Sequence, residues 1–183
     1  MSYKFNTEHY EMVLKAGDME RCLKSLVWHL EEPRVGQSYP NYYAAKLASR
    51  FGKVVLSGAG GDELFAGYRR FAVDDPSAES YVRATQFHSV SRLARLKPGA
   101  TLEGALAKRL SMCQQTRGEA LHSRIAYEMR THLRDLLIRQ DKMMMAHGIE
   151  NRVPFLDEQV VALALSLPVE HVVDRSGHHV VTK

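Results

Sequence analysis

Residues 54–68 read VVLSGAGGDELFAGY: an apolar run with β-branched residues ends in Ser57-Gly58-Ala59-Gly60-Gly61 and meets two acids, Asp62 and Glu63. So little side-chain bulk lets main-chain N–H groups approach phosphate oxygens. A helix starting near Asp62-Glu63 would add a positive dipole end at the same place. An acid there has two readings. It caps the helix and complements its dipole, or it holds a magnesium ion that bridges carboxylate and polyphosphate. No Gly-Lys-Ser/Thr follows, so the loop is not a Walker A sequence. A second stretch, residues 139–157, reads RQDKMMMAHGIENRVPFLD. Arg139, Asp141, Lys142, Glu150 and Arg152 sit there among methionines and the apolar Val153-Pro154-Phe155-Leu156. Charges so close to buried surface must be paired or must face a ligand.

The elements that must position these residues follow from periodicity. KVVLS (53–57) reads as a strand, and a continuous apolar strand between helices suits a parallel sheet covered on both sides. YEMVL (10–14) is a second strand candidate. Apolar residues at 19, 22, 23, 26, 27 and 30 predict a helix with one buried face, ending at Glu31-Glu32-Pro33. Another helix is expected from about Asn41 to Phe51, burying Ala44, Leu47, Ala48 and Phe51. Beyond Asp62 the chain reads almost wholly helical, punctuated by Pro76, Pro98-Gly99 and Gly118. Leu121, Ile125, Met129, Leu133, Leu136 and Leu137 mark one long amphipathic helix. Asp157 can cap a last one, with Val160, Val161, Ala164 and Leu165 inward and Pro168 at its end. No repeat, low-complexity tract or Gly/Ser linker interrupts the chain, so one α/β domain with a helical second half is expected.

The bulk properties exclude several classes. At 183 residues, 45% hydrophobic and 25% charged, the composition is that of an ordinary globular protein. No run approaches the ~18 apolar residues of a membrane span. The first residues, MSYKFNTEHYE, lack the apolar core and cleavage site of a secretory signal. Cys22 and Cys113 have no metal-type spacing, so a cytoplasmic chain with reduced thiols is expected. The net charge is +4, with a basic bias between residues 80 and 118, where Arg83, Arg92, Arg95, Lys97, Lys108, Arg109 and Arg117 face only Glu103. No aromatic stacking pattern is interleaved with these charges, so solvated helix faces are the reading and nucleic acid is not expected as a partner.

Together the two stretches resemble the synthetase domain of glutamine-hydrolysing asparagine synthetases. That family shows Leu-Ser-Gly-acid-Gly-x-Asp-Glu-x-Phe-x-Gly-Tyr, here LSGAGGDELFAGY. About eighty residues further on it shows Asp-Arg/Lys-x-x-Met/Ser-Ala-x-Gly-x-Glu-x-Arg-Val-Pro-Phe-Leu-Asp, here DKMMMAHGIENRVPFLD. TEHYE (7–11) is similar to a Thr-x-His-His-Glu strand, HLEEP (29–33) to a His-x-Asp-Glu-Pro turn, and SYPNYYAAKLASRF (38–51) to the helix preceding the glycine loop. The fold implied is α/β: a partial parallel sheet of the adenine-nucleotide alpha-hydrolase (PP-loop ATP pyrophosphatase) type, followed by a mostly helical half.

The resemblance implies two steps. ATP adenylates the side-chain carboxylate of aspartate and releases pyrophosphate. Ammonia drawn from glutamine then displaces AMP to form asparagine. It carries an AMP contact onto Ser57 and Gly58, magnesium and pyrophosphate onto Asp62, and a pyrophosphate contact onto Lys142. A further family lysine, in a Gly-x-x-x-Lys helix start, falls on Lys183, where it would stabilise the adenylation transition state. Lys142 also reads as the ion-pair partner of Asp141 or Glu150, and Lys183 as a plain chain end. Where the family carries an acid, a candidate base for ammonia attack, this sequence has Ala59. Alanine cannot move a proton, so Glu150 becomes the candidate base, unless it only pairs with Arg152. Ala59 equally leaves room for a sibling ligase of the β-lactam or peptide-cyclising type, and a non-catalytic interaction module is a third reading.

The sequence contains neither a Ser-Gly-Gly-x-Asp-Ser loop, the family's main pyrophosphate cradle, nor the glutaminase domain with its cysteine after the initiator methionine. The expectation is therefore an incomplete synthetase domain over 1–183, inactive alone and completed by a missing N-terminal half or another copy. Strands 10–14 and 53–57 would then present an unpaired apolar edge, which predicts self-association or poor solubility. A well-behaved 20.7 kDa monomer at high concentration in size-exclusion chromatography would contradict this.

Overall fold

The computed structural model describes residues 2–32, 38–71, 77–86, 90–96, 103–114 and 119–173. In it β1 (Val54–Leu56) runs parallel to β2 (Glu150–Arg152), in the register Val54 to Glu150, Val55 to Asn151 and Leu56 to Arg152. The ladder is prolonged at both ends, by Glu150 N–H to Lys53 O and by Ser57 N–H to Arg152 O, each 2.8 Å. Among the described residues the sheet has these two strands alone. The expected strand over 10–14 is not formed. Residues 7–15 carry no ladder; their hydrogen bonds include Tyr10 Oη to Glu8 at 2.8 Å and His9 to Glu11 at 3.0 Å. Strand propensity without a neighbouring strand leaves main-chain groups to water, so the segment stays irregular.

The chain divides into two compact units, residues 1–57 with 136–152 and residues 58–135 with 153–183. The first contains α1 (Ser2–Phe5), α2 (Asp18–Leu30), α3 (Ser38–Ala48) and the sheet. The expected stripe of α2 holds in half: Cys22, Leu26 and Leu30 are buried, four residues apart, against Met143 and the rings of Tyr39, Tyr42 and Tyr43, whereas Met19, Leu23 and Val27 are exposed. Burial pushes the Cys22 thiol up, which keeps it a packing group rather than a thiolate. In α3 the buried face differs from expectation. Ala45 and Ser38 are buried, Leu47 and Ala48 half-buried, and Ala44 and Phe51 exposed. The tyrosines at 39, 42 and 43 offer far more apolar area than single alanines, and their face wins the core.

The second unit holds α4 (Gly61–Leu64), α5 (Ala78–Ala84), α6 (Val90–Leu96), α7 (Glu103–Gln114) and α8 (Ala120–Glu128). A π turn over Met129–Leu133 follows, then α9 (Arg134–Met145), α10 (Glu158–Ser166) and α11 (Val169–Val172); the boundary between units falls within α9. Apolar residues at 121, 125, 129 and 133 are spaced by four, which drifts about 40° per step on an α-helix. One wider turn cancels that drift, and Leu121, Ile125 and Leu133 are all buried. Around Ile125 cluster Phe71, Tyr81, Val82, Cys113, Tyr127 and Val172. A smaller cluster joins Leu64 and Phe65 to Ala164, with Leu156 and Val161 against it. Asp157 caps α10 as expected, its Oδ1 accepting from Gln159 N–H at 2.9 Å. Leu165, expected inward, is exposed.

Two glycines of the loop belong to this packing. Gly60 has φ +95°, and a Cβ there would stand 2.5 Å from Leu156 Cδ2; one on Gly61 would touch the Phe155 ring. Gly58 differs, since nothing lies within 4 Å of the place its Cβ would take. Gly60→Ala is therefore expected to lower unfolding stability by about 2–5 kcal/mol through left-handed strain and overpacking. Gly58→Ala should stay within about 0.5 kcal/mol. Urea denaturation of both variants checks the contrast.

Candidate functional site

In the first unit, two candidates lie on or at the end of β1 and β2. Ser57 leaves β1 with its N–H on Arg152 O, and its Oγ accepts from Gln140 Nε2 of α9 at 2.7 Å. Gln140 thus links the second motif to the end of the glycine-loop strand, a role the sequence reading passed over. Glu150 opens β2, and its Oε1 accepts from Arg152 Nε at 2.7 Å, both side chains being exposed.

Lys142 finds a different partner from those expected. Its Nζ donates to Leu30 O, the last carbonyl of α2, and to Glu31 Oε2, each at 2.8 Å. The cation therefore neutralises the carbonyl end of α2. Asp141, its neighbour on α9, is turned about 100° away around the helix. The hydrogen bond and then the charge of Lys142 hold the Glu31 carboxyl below its ordinary value of 4.5. This pair flanks an open depression of about 630 Å³, lined also by Val27, Trp28, His29 and Met145.

In the second unit, Gly58 starts a turn closed by Gly61 N–H to Gly58 O at 3.2 Å. The helix beginning near Asp62 is α4, a single turn of four residues, so its dipole is far smaller than that of a full helix. Asp62 is exposed; its carbonyl accepts from Gly67 N–H at 2.8 Å, a bond that closes the end of α4 around Ala66 at φ 53°. The Asp62 carboxylate lies where a Cβ on residue 67 would stand, so Gly67 leaves room for it. Among the described residues no group of three or more His, Cys, Asp or Glu side chains is arranged to hold a metal. One exposed carboxylate fits magnesium only in the mode where phosphate oxygens and water supply the other ligands. Gly58 is bare and open, and Asp62 is exposed; Lys142 is held by Leu30 and Glu31. Lys183 lies outside the described residues.

The sequence reading also passed over a buried polar network behind Asp62. Glu63 and Glu128 are each 1% exposed. Glu63 Oε1 accepts from Tyr68 Oη at 2.7 Å, and the Arg70 guanidinium lies 3.8 Å over the Tyr68 ring. Arg70 grips Glu128 with two bonds, Nε to Oε1 at 3.0 Å and Nη2 to Oε2 at 2.7 Å. Tyr81 Oη donates to Glu128 Oε1 at 2.8 Å. Burial and then the neighbouring carboxylates push both tyrosine hydroxyls well above their ordinary value. A Glu set between glycines and Leu64-Phe65 was the available signal.

In the basic segment Arg83, Arg92, Arg95 and Lys108 are exposed, and Arg109 packs. Arg109 donates to Tyr127 Oη at 2.7 Å and to Thr85 at 3.1 Å, and Arg83 pairs with Glu79 within α5. Lys97 and Arg117 lie outside the described residues. No helix among the described residues is long and apolar enough to cross a membrane.

The family model for asparagine synthase matches residues 1–181. The chain belongs to the asparagine synthase family. It is similar to putative asparagine synthetase [glutamine-hydrolyzing] 1 of Methanocaldococcus jannaschii, 33% identical over 139 residues, covering 75% of this chain and 19% of that protein. A putative asparagine synthetase [glutamine-hydrolyzing] of Mycobacterium tuberculosis is 29% identical, covering 92% and 32%. Asparagine synthetase [glutamine-hydrolyzing] 1 of Bacillus subtilis is 26% identical, covering 89% and 32%. The chain thus spans about a third or less of the length of these relatives. For this asparagine synthase family chain the two motifs quoted from the sequence are therefore family features.

The Lys142–Glu31 pair has a pH signature. Because the folded Glu31 value is depressed, its contribution to stability is complete above 4.5 and is lost as pH falls through the folded value. Glu31 is largely in water, so the effect is small and screened by salt. Lys142→Met is expected to return the Glu31 titration to its ordinary range, read by carboxyl carbon NMR.

Proposed function

We propose that this chain forms part of the ATP-dependent, carboxylate-activating domain of an asparagine-forming amidotransferase. The observation that carries the proposal is Gly58. Gly60 is glycine because its left-handed φ and the closeness of Leu156 leave no room for a side chain, and a Cβ on Gly61 would meet the Phe155 ring, but neither backbone angle nor packing asks for glycine at 58. A residue kept bare beside open space suits a ligand that approaches the main chain, and the named relatives are asparagine synthetases.

In this reading residues 1–183 belong to one domain of PP-loop type. Ser57 and Gly58 hold the nucleotide, while Asp62 orients magnesium on the pyrophosphate that leaves. Lys142 exchanges its Leu30 and Glu31 contacts for that pyrophosphate, and Lys183 steadies charge at the transferring phosphorus. Glu150 takes the proton from the attacking amine in place of the acid absent at Ala59. Aspartate, and ammonia from glutamine, are the substrates; the setting is the cytoplasm; further polypeptide or another copy completes the pyrophosphate cradle. Ala59 favours a second reading, a sibling ligase that activates another carboxylate for another amine. A pyrophosphate-release assay across candidate acids, with further polypeptide supplying the cradle, separates the two.

The direct test is calorimetric titration of the chain with ATP, with and without magnesium. Binding that depends on magnesium is expected, weakened about tenfold by Asp62→Asn and abolished by Gly58→Val, with melting temperature unchanged in the second variant. Absence of ATP binding by the parent chain, or full binding by Gly58→Val, overturns the proposal. Aspartate-dependent pyrophosphate release by the chain alone would overturn its dependence on further polypeptide.

A further inference from the structure

Asp62 and Glu63 are consecutive, so on α4 they point about 100° apart. Asp62 is exposed and Glu63 is 1% exposed. Among the described residues Glu63 makes no ion pair; its recorded partner is the Tyr68 hydroxyl. A buried carboxylate facing only a hydroxyl is a costly arrangement. An apolar side chain in its place would pack without that penalty, but it would not fix the rotation of a one-turn helix about its own axis. Directional hydrogen bonding does fix it.

The tie does not end at Tyr68. The tyrosine ring is clamped under the Arg70 guanidinium, and Arg70 is forked onto Glu128 at the end of α8, where Tyr81 also donates. Arg124 Nη1 donates to Phe71 O at 2.8 Å and holds the far end of the same segment. Arg70 and Phe71 thus anchor the C-terminal end of residues 61–71 to α8, the Tyr68–Glu63 bond ties α4 back to that anchored end, and the Asp62 carboxylate is seated against Gly67 on the outer side.

We propose that Glu63, Tyr68 and the Arg70–Glu128 pair are positioning residues that orient the Asp62 carboxylate toward a magnesium-bound phosphate, and that Glu63 does not itself touch the metal. This rests on the proposed nucleotide site. The division of labour assigns the two acids of one dipeptide to opposite tasks: the outer one meets the ligand, the inner one sets its direction. Glu63 needs only an acceptor oxygen for this, not a charge.

Three variants of the full chain test it: Tyr68→Phe keeps the ring and loses the hydroxyl, Glu63→Gln keeps an acceptor and loses the charge, and Asp62→Asn removes the outer carboxylate. Two readouts are taken, amide hydrogen exchange at Gly67, whose N–H reports the α4 turn, and calorimetric binding of ATP with and without magnesium. Tyr68→Phe is expected to speed Gly67 exchange at least tenfold and to weaken magnesium-dependent binding about tenfold, while magnesium-free binding changes less than twofold. Glu63→Gln is expected to match the parent in both readouts, unlike Asp62→Asn, which loses magnesium dependence with Gly67 exchange unchanged. Unchanged Gly67 exchange in Tyr68→Phe overturns the positioning role. Loss of magnesium dependence in Glu63→Gln overturns it too, by making Glu63 a ligand. If the parent binds no ATP, the nucleotide site falls and takes the proposed purpose with it, while the exchange data still decide whether the network sets the α4 turn.

Discussion

A parallel ladder three residues long fixes where both motifs begin their work. Val54–Leu56 and Glu150–Arg152 are far apart in sequence, and parallel strands admit no tight connection, so nearly a hundred residues intervene. The register decides which groups leave the ladder together. Ser57 N–H on Arg152 O is its last rung, and from there one strand continues into glycines and the other into Val-Pro-Phe-Leu. A slip by one residue would turn every side chain of β1 to the opposite face and part Ser57 from Gln140. Both strands run in the same direction, so the two segments leave the ladder from the same end.

So short a ladder cannot hold itself. Val54 and Leu56 remain 45% and 74% exposed, unusual for a parallel strand, so the sheet draws little from burial of its own side chains. The first unit relies instead on α2, α3 and α9, joined through Leu26, Leu30, Met143 and three tyrosines. Of the charges of residues 139–152, Lys142 serves that joint. Lys142 satisfies the terminal carbonyl of α2 as well as a carboxylate, and Arg152 folds back on Glu150. Charge beside apolar surface is thus largely internal bookkeeping in this part of the molecule, and any ligand role for Lys142 requires it to change partners.

Periodicity in the sequence carried much of the architecture. The Cys22–Leu26–Leu30 face of α2, the strand at 54–56, the long helix through Ile125 and the Asp157 cap were all readable, because each rests on local spacing; Met19, Leu23 and Val27, expected on the same α2 face, are exposed. What failed depended on neighbours. Residues 10–14 have strand composition but no strand beside them, and α3 turned its tyrosines inward where alanine spacing pointed elsewhere. The π turn hid in a four-residue repeat that looks helical until the drift is followed over four steps. At the candidate site, the motif residues were visible as types, but Glu31 as partner of Lys142 and the Glu63–Tyr68–Arg70–Glu128 network were not, since those contacts join elements that local spacing does not bring together.

The glycine loop shows why residue type alone misleads. Read in sequence, Gly58, Gly60 and Gly61 are three copies of one signal for backbone approach to phosphate. In the fold their causes separate: Gly60 serves a left-handed turn under Leu156 and would be glycine with no ligand at all, whereas a Cβ on Gly61 would make only ordinary contact with the Phe155 ring and one on Gly58 would meet nothing. The argument for a ligand therefore narrows to Gly58, the loop glycine beside which nothing is packed. A motif in which every glycine was explained by packing would say nothing about nucleotides. One in which a single residue is left bare, a short step from an exposed acid whose backbone is tied down, asks for something outside the chain to meet it.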